Sequence, residues 1–202
     1  YSLSNLSEIV YAGFNSLKVA FIGALTIVTF AIFIIFTKRI FKINMLSFII
    51  NFSKIGYAAP GIVIAIGVIT PSIFIDKQVS YFFSFLGKDT GLIMSGSIAI
   101  LIFAYLVRFL SVAFNPIESG LEKVSEKIDY SALNLGANKQ TLLFKIHLPM
   151  IISSCLIAFL LIFIDILKEL PITLILRPFN YNTLSVLTFE YASSEQLAQA
   201  AL

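Results

Sequence analysis

The chain has 202 residues, of which 58% are hydrophobic and 12% charged, and its mean hydropathy is +0.96. That leaves too few polar groups to cover a soluble globule, so the composition points to a membrane protein. The net charge of +3 is small and the basic residues gather in particular loops, which reads as membrane orientation rather than nucleic-acid binding.

In chain order, the first sixteen or so residues are mixed and carry Glu8, as expected of an aqueous or interfacial lead-in. Residues 17–36 are apolar apart from Lys18 and small hydroxyls. At 1.5 Å per residue this length crosses a ~30 Å hydrocarbon layer. Lys38, Arg39 and Lys42 follow at once and Lys54 lies further on, so the loop after this span is expected on the cytoplasmic side.

A second span is expected over residues 57–75. It carries Pro60, Gly61, Gly67 and Pro71, which membrane helices tolerate, and its glycines permit close helix contact, beside a translocation path or in simple packing. The loop 76–90 balances Asp76 and Asp89 against Lys77 and Lys88, as on an outer side. A third span is expected over 91–110, with Arg108 snorkelling to the interface at its inner end. Asn115, Pro116 and Glu118 read as a new helix start leading into an amphipathic connector with a solvated charged face.

Residues 129–149, DYSALNLGANKQTLLFKIHLP, interrupt the oily sequence. Asp129 is expected to cap a short helix that ends at Leu135, Gly136 to supply the turn, and Asn138 to cap a second helix closed by Pro149. A fourth span covers 150–167 and contains Cys155, read as a small core residue, and Asp165. Asp165 and Glu169, four apart, share one face at its outer end. An ion-pair network with Lys168 and Arg177 that fixes a gate is the favoured role there. Direct contact of the two carboxylates with a hard cation is the alternative. Beyond Lys168 the chain is too broken by Pro171 and Pro178 to form one clean span.

Ala132, Gly136 four residues on, and Ile146-His147-Leu148-Pro149 after nine more match the spacing of the EAA loop, and the chain thereby resembles the permease subunits of binding-protein-dependent ABC importers. Tyr130 and Ser131 stand where that motif has Glu and Ala. The segments YAAPG, VRFLSVAFNPIESGLEKV and LKELPITLILRPFNYNTLS are similar to iron(III) permeases, and together the resemblance covers roughly residues 55–200.

The resemblance implies an all-α, multi-span transmembrane bundle with a cytoplasmic coupling loop, in the inner membrane of a bacterium, and a last membrane helix beyond Leu202. Residues 1–202 are thus expected to be one permease domain of a longer polypeptide. Tyr130, Ser131, Ala132, Leu135, Gly136 and Ala137 are implied to contact an ATP-binding cassette ATPase. A periplasmic or lipid-anchored substrate-binding protein, a second permease half and membrane lipid are the other implied partners.

Iron(III) is the implied cargo, with thiamine, phosphonate, polyamine or sulfate as alternatives; a non-transporting assembly subunit and an ion-driven secondary transporter are further readings. No Gly-rich phosphate loop ending in Gly-Lys-Ser/Thr is present, so ATP hydrolysis is expected in a partner and not in this chain. No cofactor is expected. His147 is the one histidine, which argues against a histidine-rich metal centre, and it reads as an interfacial residue.

Overall fold

The computed structural model describes residues 3–85 and 94–194. Among them there is no β-strand. The helices are α1 (Leu3–Phe41), α2 (Asn44–Ala58), α3 (Gly61–Phe85), α4 (Ile98–Glu122), α5 (Glu126–Asn134), α6 (Lys139–Thr141), α7 (Leu148–Lys168), α8 (Pro171–Leu176) and α9 (Leu184–Ser193), with a π-helical segment (Leu142–His147) joining α6 to α7. Among the described residues four stretches are long and apolar enough to cross a membrane: Leu6–Phe41, Gly61–Phe83, Ile98–Glu122 and Lys139–Lys168. The chain is therefore an all-α, multi-span bundle.

The core is a three-helix packing of α1, α4 and α7, the three helices most extensively in contact. Each contributes a stripe of buried residues at helical spacing, such as Leu101, Ala104, Tyr105 and Ile117 of α4 and Ile151, Cys155, Ala158 and Ile162 of α7. Small residues bring backbones close. A Cβ on Gly120 would collide with Ser154, which places α4 directly on α7. At about 1.5 Å per residue the 39 residues of α1 extend well past a ~30 Å hydrocarbon layer, and the surplus carries Lys38 and Arg39 out at one end.

Several boundaries differ from the sequence reading. The basic stretch after the first span is not a loop. Lys38 and Arg39 close α1, Lys42 turns the chain with φ 50°, and α2 then packs along α4. At fifteen residues α2 is too short to cross the apolar layer. The second span starts at Gly61 instead of residue 57, because Pro60 forces Ala59 into extended backbone (φ −71°, ψ 141°) and ends α2. Its helix, α3, continues to Phe85, taking in Asp76, which is buried and accepts from the backbone N–H groups of Met94 and Ser95, both at 2.7 Å.

The expected loop charges Lys88 and Asp89, and the expected start of the third span at residue 91, lie outside the described residues. Of the glycines in α3, Gly61 is closely packed, whereas Gly67 faces open space and permits no special contact. The third span runs unbroken through Asn115 and Pro116 to Glu122, so no helix starts at Asn115. Pro149 does not close a helix either: it sits in the first turn of α7, which continues from the π-helical segment without a gap. Cys155 is buried in the core, as read.

Candidate functional site

Two polar constructions stand out against the apolar bundle, one at the end where α1 and α4 finish and one inside it. At the first, Ser125, not Asp129, caps α5, its Oγ accepting from the Lys127 N–H at 3.3 Å. The helix ends in a Schellman turn. The Ala137 N–H reaches the Ala132 carbonyl and the Gly136 N–H reaches the Leu133 carbonyl, both at 3.0 Å, with Gly136 at φ 85°. Asn138 then caps α6, its Oδ1 accepting from the Thr141 N–H at 2.7 Å. The short helix, glycine turn and second cap expected from the sequence are all present.

The resulting segment has two faces. Tyr130, Ser131, Leu135 and Gly136 are exposed, Leu135 at 88%. Ala132 is buried against Phe36, Leu142 and Leu143, with Ala137 half-buried on the same cluster. Of the six residues singled out in this loop, four therefore look outward and two hold the loop to the bundle.

Beneath it Asp129 is buried and bonded on both oxygens. Its Oδ2 accepts from Arg39 Nε at 2.6 Å and its Oδ1 from His147 Nε2 at 2.7 Å. Since a carboxylate only accepts, Nε2 carries the imidazole proton. His147 is fully buried, edge-on to Phe36 with ring centroids 5.4 Å apart, and is not interfacial. Arg39 also donates to the carbonyls of Leu121 at 2.5 Å and Val124 at 2.7 Å, taking up acceptors that the end of α4 leaves without helical partners. Nearby Lys38 pairs with Glu118 at 2.6 Å and Lys42 with Glu126 at 3.7 Å, so part of the connector's charge is tied to α1 and to the turn beyond it. A cleft of about 560 Å³ opens beside these pairs, lined by both signs of charge.

The second construction lies where two helix breaks meet. Arg108, the eleventh of the 25 residues of α4, does not snorkel to an interface. Its Nη1 donates to the Ala59 carbonyl at 2.8 Å, and its Nε lies 3.3 Å from Glu169 Oε2. Glu169 stops α7, and its Oε1 accepts from the Ile172 N–H at 3.3 Å at the start of α8. A buried relay extends the node: Thr173 Oγ1 donates to the Glu169 carbonyl, and Tyr105 donates to Thr173 Oγ1, each at 2.6 Å. Gly61 leaves the room, since a Cβ there would stand 2.7 Å from Glu169 Oε1 and 3.3 Å from Arg108 Nη1.

The expected network of Asp165, Glu169, Lys168 and Arg177 does not form. Glu169 turns to Arg108, while Arg177 pairs with Glu190 at 2.7 Å and with Asn182. Asp165 is half-buried, without a hydrogen bond or ion pair to a described residue. Among the described residues no three His, Cys, Asp or Glu side chains converge as metal ligands.

These features define a multi-span helical membrane bundle with interrupted helices and an outward-facing helix–turn–helix at one end. No family model matches the chain. It is, however, similar to the Fe(3+)-transport system permease protein FbpB 2 of Haemophilus influenzae, with 27% identity over 199 residues. The alignment covers 98% of this chain and 36% of that protein, so the chain spans about a third of its relative's length. The likeness agrees with the resemblance to iron(III) permeases carried by the residues themselves.

Proposed function

We propose that the chain is a permease domain of a bacterial ABC importer for iron(III), seated in the inner membrane. In this reading the end bearing Lys38, Arg39 and α5 faces the cytoplasm, and Tyr130, Ser131, Leu135 and Gly136 form the docking face for a separate ATP-binding cassette ATPase. Ala132 and Ala137 hold that face in place. The observation that carries the proposal is the capped helix–glycine–helix itself, which presents the side chains of Tyr130 and Leu135 to solvent on a segment packed against the bundle. An 88% exposed leucine on an ordered helix end suits a partner's apolar groove.

Transport then follows from rigid-body coupling. Closure of two ATPase subunits moves the docking segments, and the spans rock between outward and inward access against a second permease half. A substrate-binding protein delivers the cargo at the opposite end. The Arg108–Glu169 node, where α2 gives way to α3 and α7 to α8, is the hinge or gate of that movement, since interrupted helices concentrate flexibility and polar groups at one depth.

The test is purification of the full-length polypeptide with its ATPase and binding protein in proteoliposomes. ATP hydrolysis that rises with the loaded binding protein, together with ATP-dependent iron(III) uptake, is the expected result. The ligand the binding protein retains identifies the cargo. Uptake that continues without ATP and collapses with an ion gradient overturns the reading.

A further inference from the structure

We propose that Asp129 is the positioning residue that delivers movement of the docking segment to the membrane helices, its one carboxylate tying α5 to the end of α1 through Arg39 and to the start of α7 through His147. The inference rests on the coupling role proposed above for α5 and names the parts through which that role is exerted.

Asp129 lies in the first turn of α5, where a carboxylate suits the helix dipole. Ser125 already caps that turn, however, and the exposed Glu126 already gives it an acidic group, so neither need accounts for burying Asp129. Burial adds the cost of removing a charge from water. Both oxygens are instead spent on long-range partners, at 2.6 and 2.7 Å, and the arginine so engaged also grips the carbonyls of Leu121 and Val124. A single carboxylate thus joins α5 to α1 and α7 directly and to the end of α4 through Arg39. These are the three helices of the core.

Apart from the solvent-exposed Lys42–Glu126 pair at 3.7 Å, the other attachments of α5 are apolar, Ile128 on the main core and Ala132 against Phe36, Leu142 and Leu143. Apolar contact resists separation but has no preferred direction, so it lets surfaces slide. Charge-assisted hydrogen bonds fix both distance and angle and lose little to solvent when buried. A push on α5 therefore reaches α1, α4 and α7 together through Asp129. α3 and α8, which pack on each other beside the Arg108–Glu169 node, lie outside the joint and are what the core moves against.

The experiment compares the parent and variants of the full-length polypeptide in the assembled importer, reading bound ATPase, ATP hydrolysis and transport per ATP hydrolysed. Asp129→Asn is expected to keep the ATPase bound and hydrolysing while transport per ATP falls about fivefold or more, the low end of what coupling between sites spans. His147→Phe, which keeps a ring and loses the donor, should do the same, whereas His147→Gln, which keeps a donor, should retain coupling.

An unchanged ratio in Asp129→Asn at parental protein levels overturns the inference. So does loss of bound ATPase in step with transport, which would make Asp129 a shaper of the docking face alone. If Asp129→Asn fails to accumulate, the histidine pair decides, and equal coupling in Phe and Gln variants overturns the inference. A parent that binds no ATPase is a different failure, that of the coupling role itself.

Discussion

Arg108 hydrogen-bonds the carbonyl of Ala59 at 2.8 Å, and Ala59 is the residue at which α2 ends. In an unbroken helix that carbonyl would accept from Val63, but the Val63 N–H turns to the Pro60 carbonyl at 2.9 Å. The guanidinium supplies the missing donor while pairing with Glu169, so one side chain stabilises both helix breaks.

Arg108→Ala should be among the most damaging single changes in the bundle, because it leaves the buried Glu169 unpaired and the Ala59 carbonyl without a donor. Removing one partner of a buried pair costs about 3–5 kcal/mol. Thermal unfolding in detergent should show a large loss for Arg108→Ala and a smaller one for Arg108→Lys, which keeps the charge but not the fork. Asp165→Asn, which loses no hydrogen bond or ion pair to a described residue, should unfold much closer to the parent. Equal stability of Arg108→Ala and parent would remove the node from the fold.

Loop substitutions should separate the two faces of α5. Leu135→Asp is expected to leave protein levels and unfolding unchanged while ATPase association falls. Ala132→Asp inserts a charge among Phe36, Leu142 and Leu143 and should lower the amount of folded protein first. Gly136→Ala meets no atom within 4 Å, so its cost is that of the left-handed backbone alone, ~1 kcal/mol. Identical behaviour of the Leu135 and Ala132 variants would mean that the outward face is not a docking surface.

Gly56 and Gly67 offer a controlled pair on neighbouring helices. A Cβ at Gly56 would run into the Val107 carbonyl and push α2 off α4, an overpacking penalty of about 1–3 kcal/mol. At Gly67 nothing lies within 4 Å, and alanine should stabilise α3 by up to ~1 kcal/mol through helix propensity. Denaturation of the two variants in detergent should move in opposite directions; a shift of the same sign would contradict the packing of α2.

Orientation can be read by thiol labelling in a Cys155→Ser background. Cysteines at Leu135 and Lys139 should resist an impermeant reagent in intact cells, and one at Met94, 41% exposed at the opposite end, should react. The inverse pattern would place α5 outside and end the coupling proposal.

The apolar lengths, the Gly136 turn and the Asn138 cap were legible in the sequence because each is a local property of a few neighbouring residues. The nodes were not. The sequence ends the third span at residue 110, which makes Arg108 interfacial, yet α4 continues through Pro116 and leaves the arginine in mid-helix. Asp129 looked like a cap because it is acidic and precedes a short helix, whereas the cap is Ser125 and the aspartate's partners are Arg39 and His147. Sequence proximity pairs Glu169 with Lys168 and Arg177, whereas its partner in the structure comes from another helix. In each case the deciding contact joins segments far apart along the chain, and no periodicity in a single sequence carries that.

The π-helical segment Leu142–His147 makes the length of this stretch a structural quantity. A π turn holds an extra residue relative to an α turn, and each residue advances an α-helix by about 100°. Deleting one residue there would let the segment relax to α geometry with the helix on either side still in phase, because the π turn is where the extra residue is absorbed. The same deletion at Met150, in the regular part of α7, has no such reserve and would turn Ile151, Cys155, Ala158 and Ile162 off α1 and α4. A related chain one residue shorter between its Asn138 and Pro149 equivalents can therefore keep the same face of this helix on its core with a plain α turn in place of the π turn, so single-residue gaps should be tolerated in this interval and not in α7 beyond it.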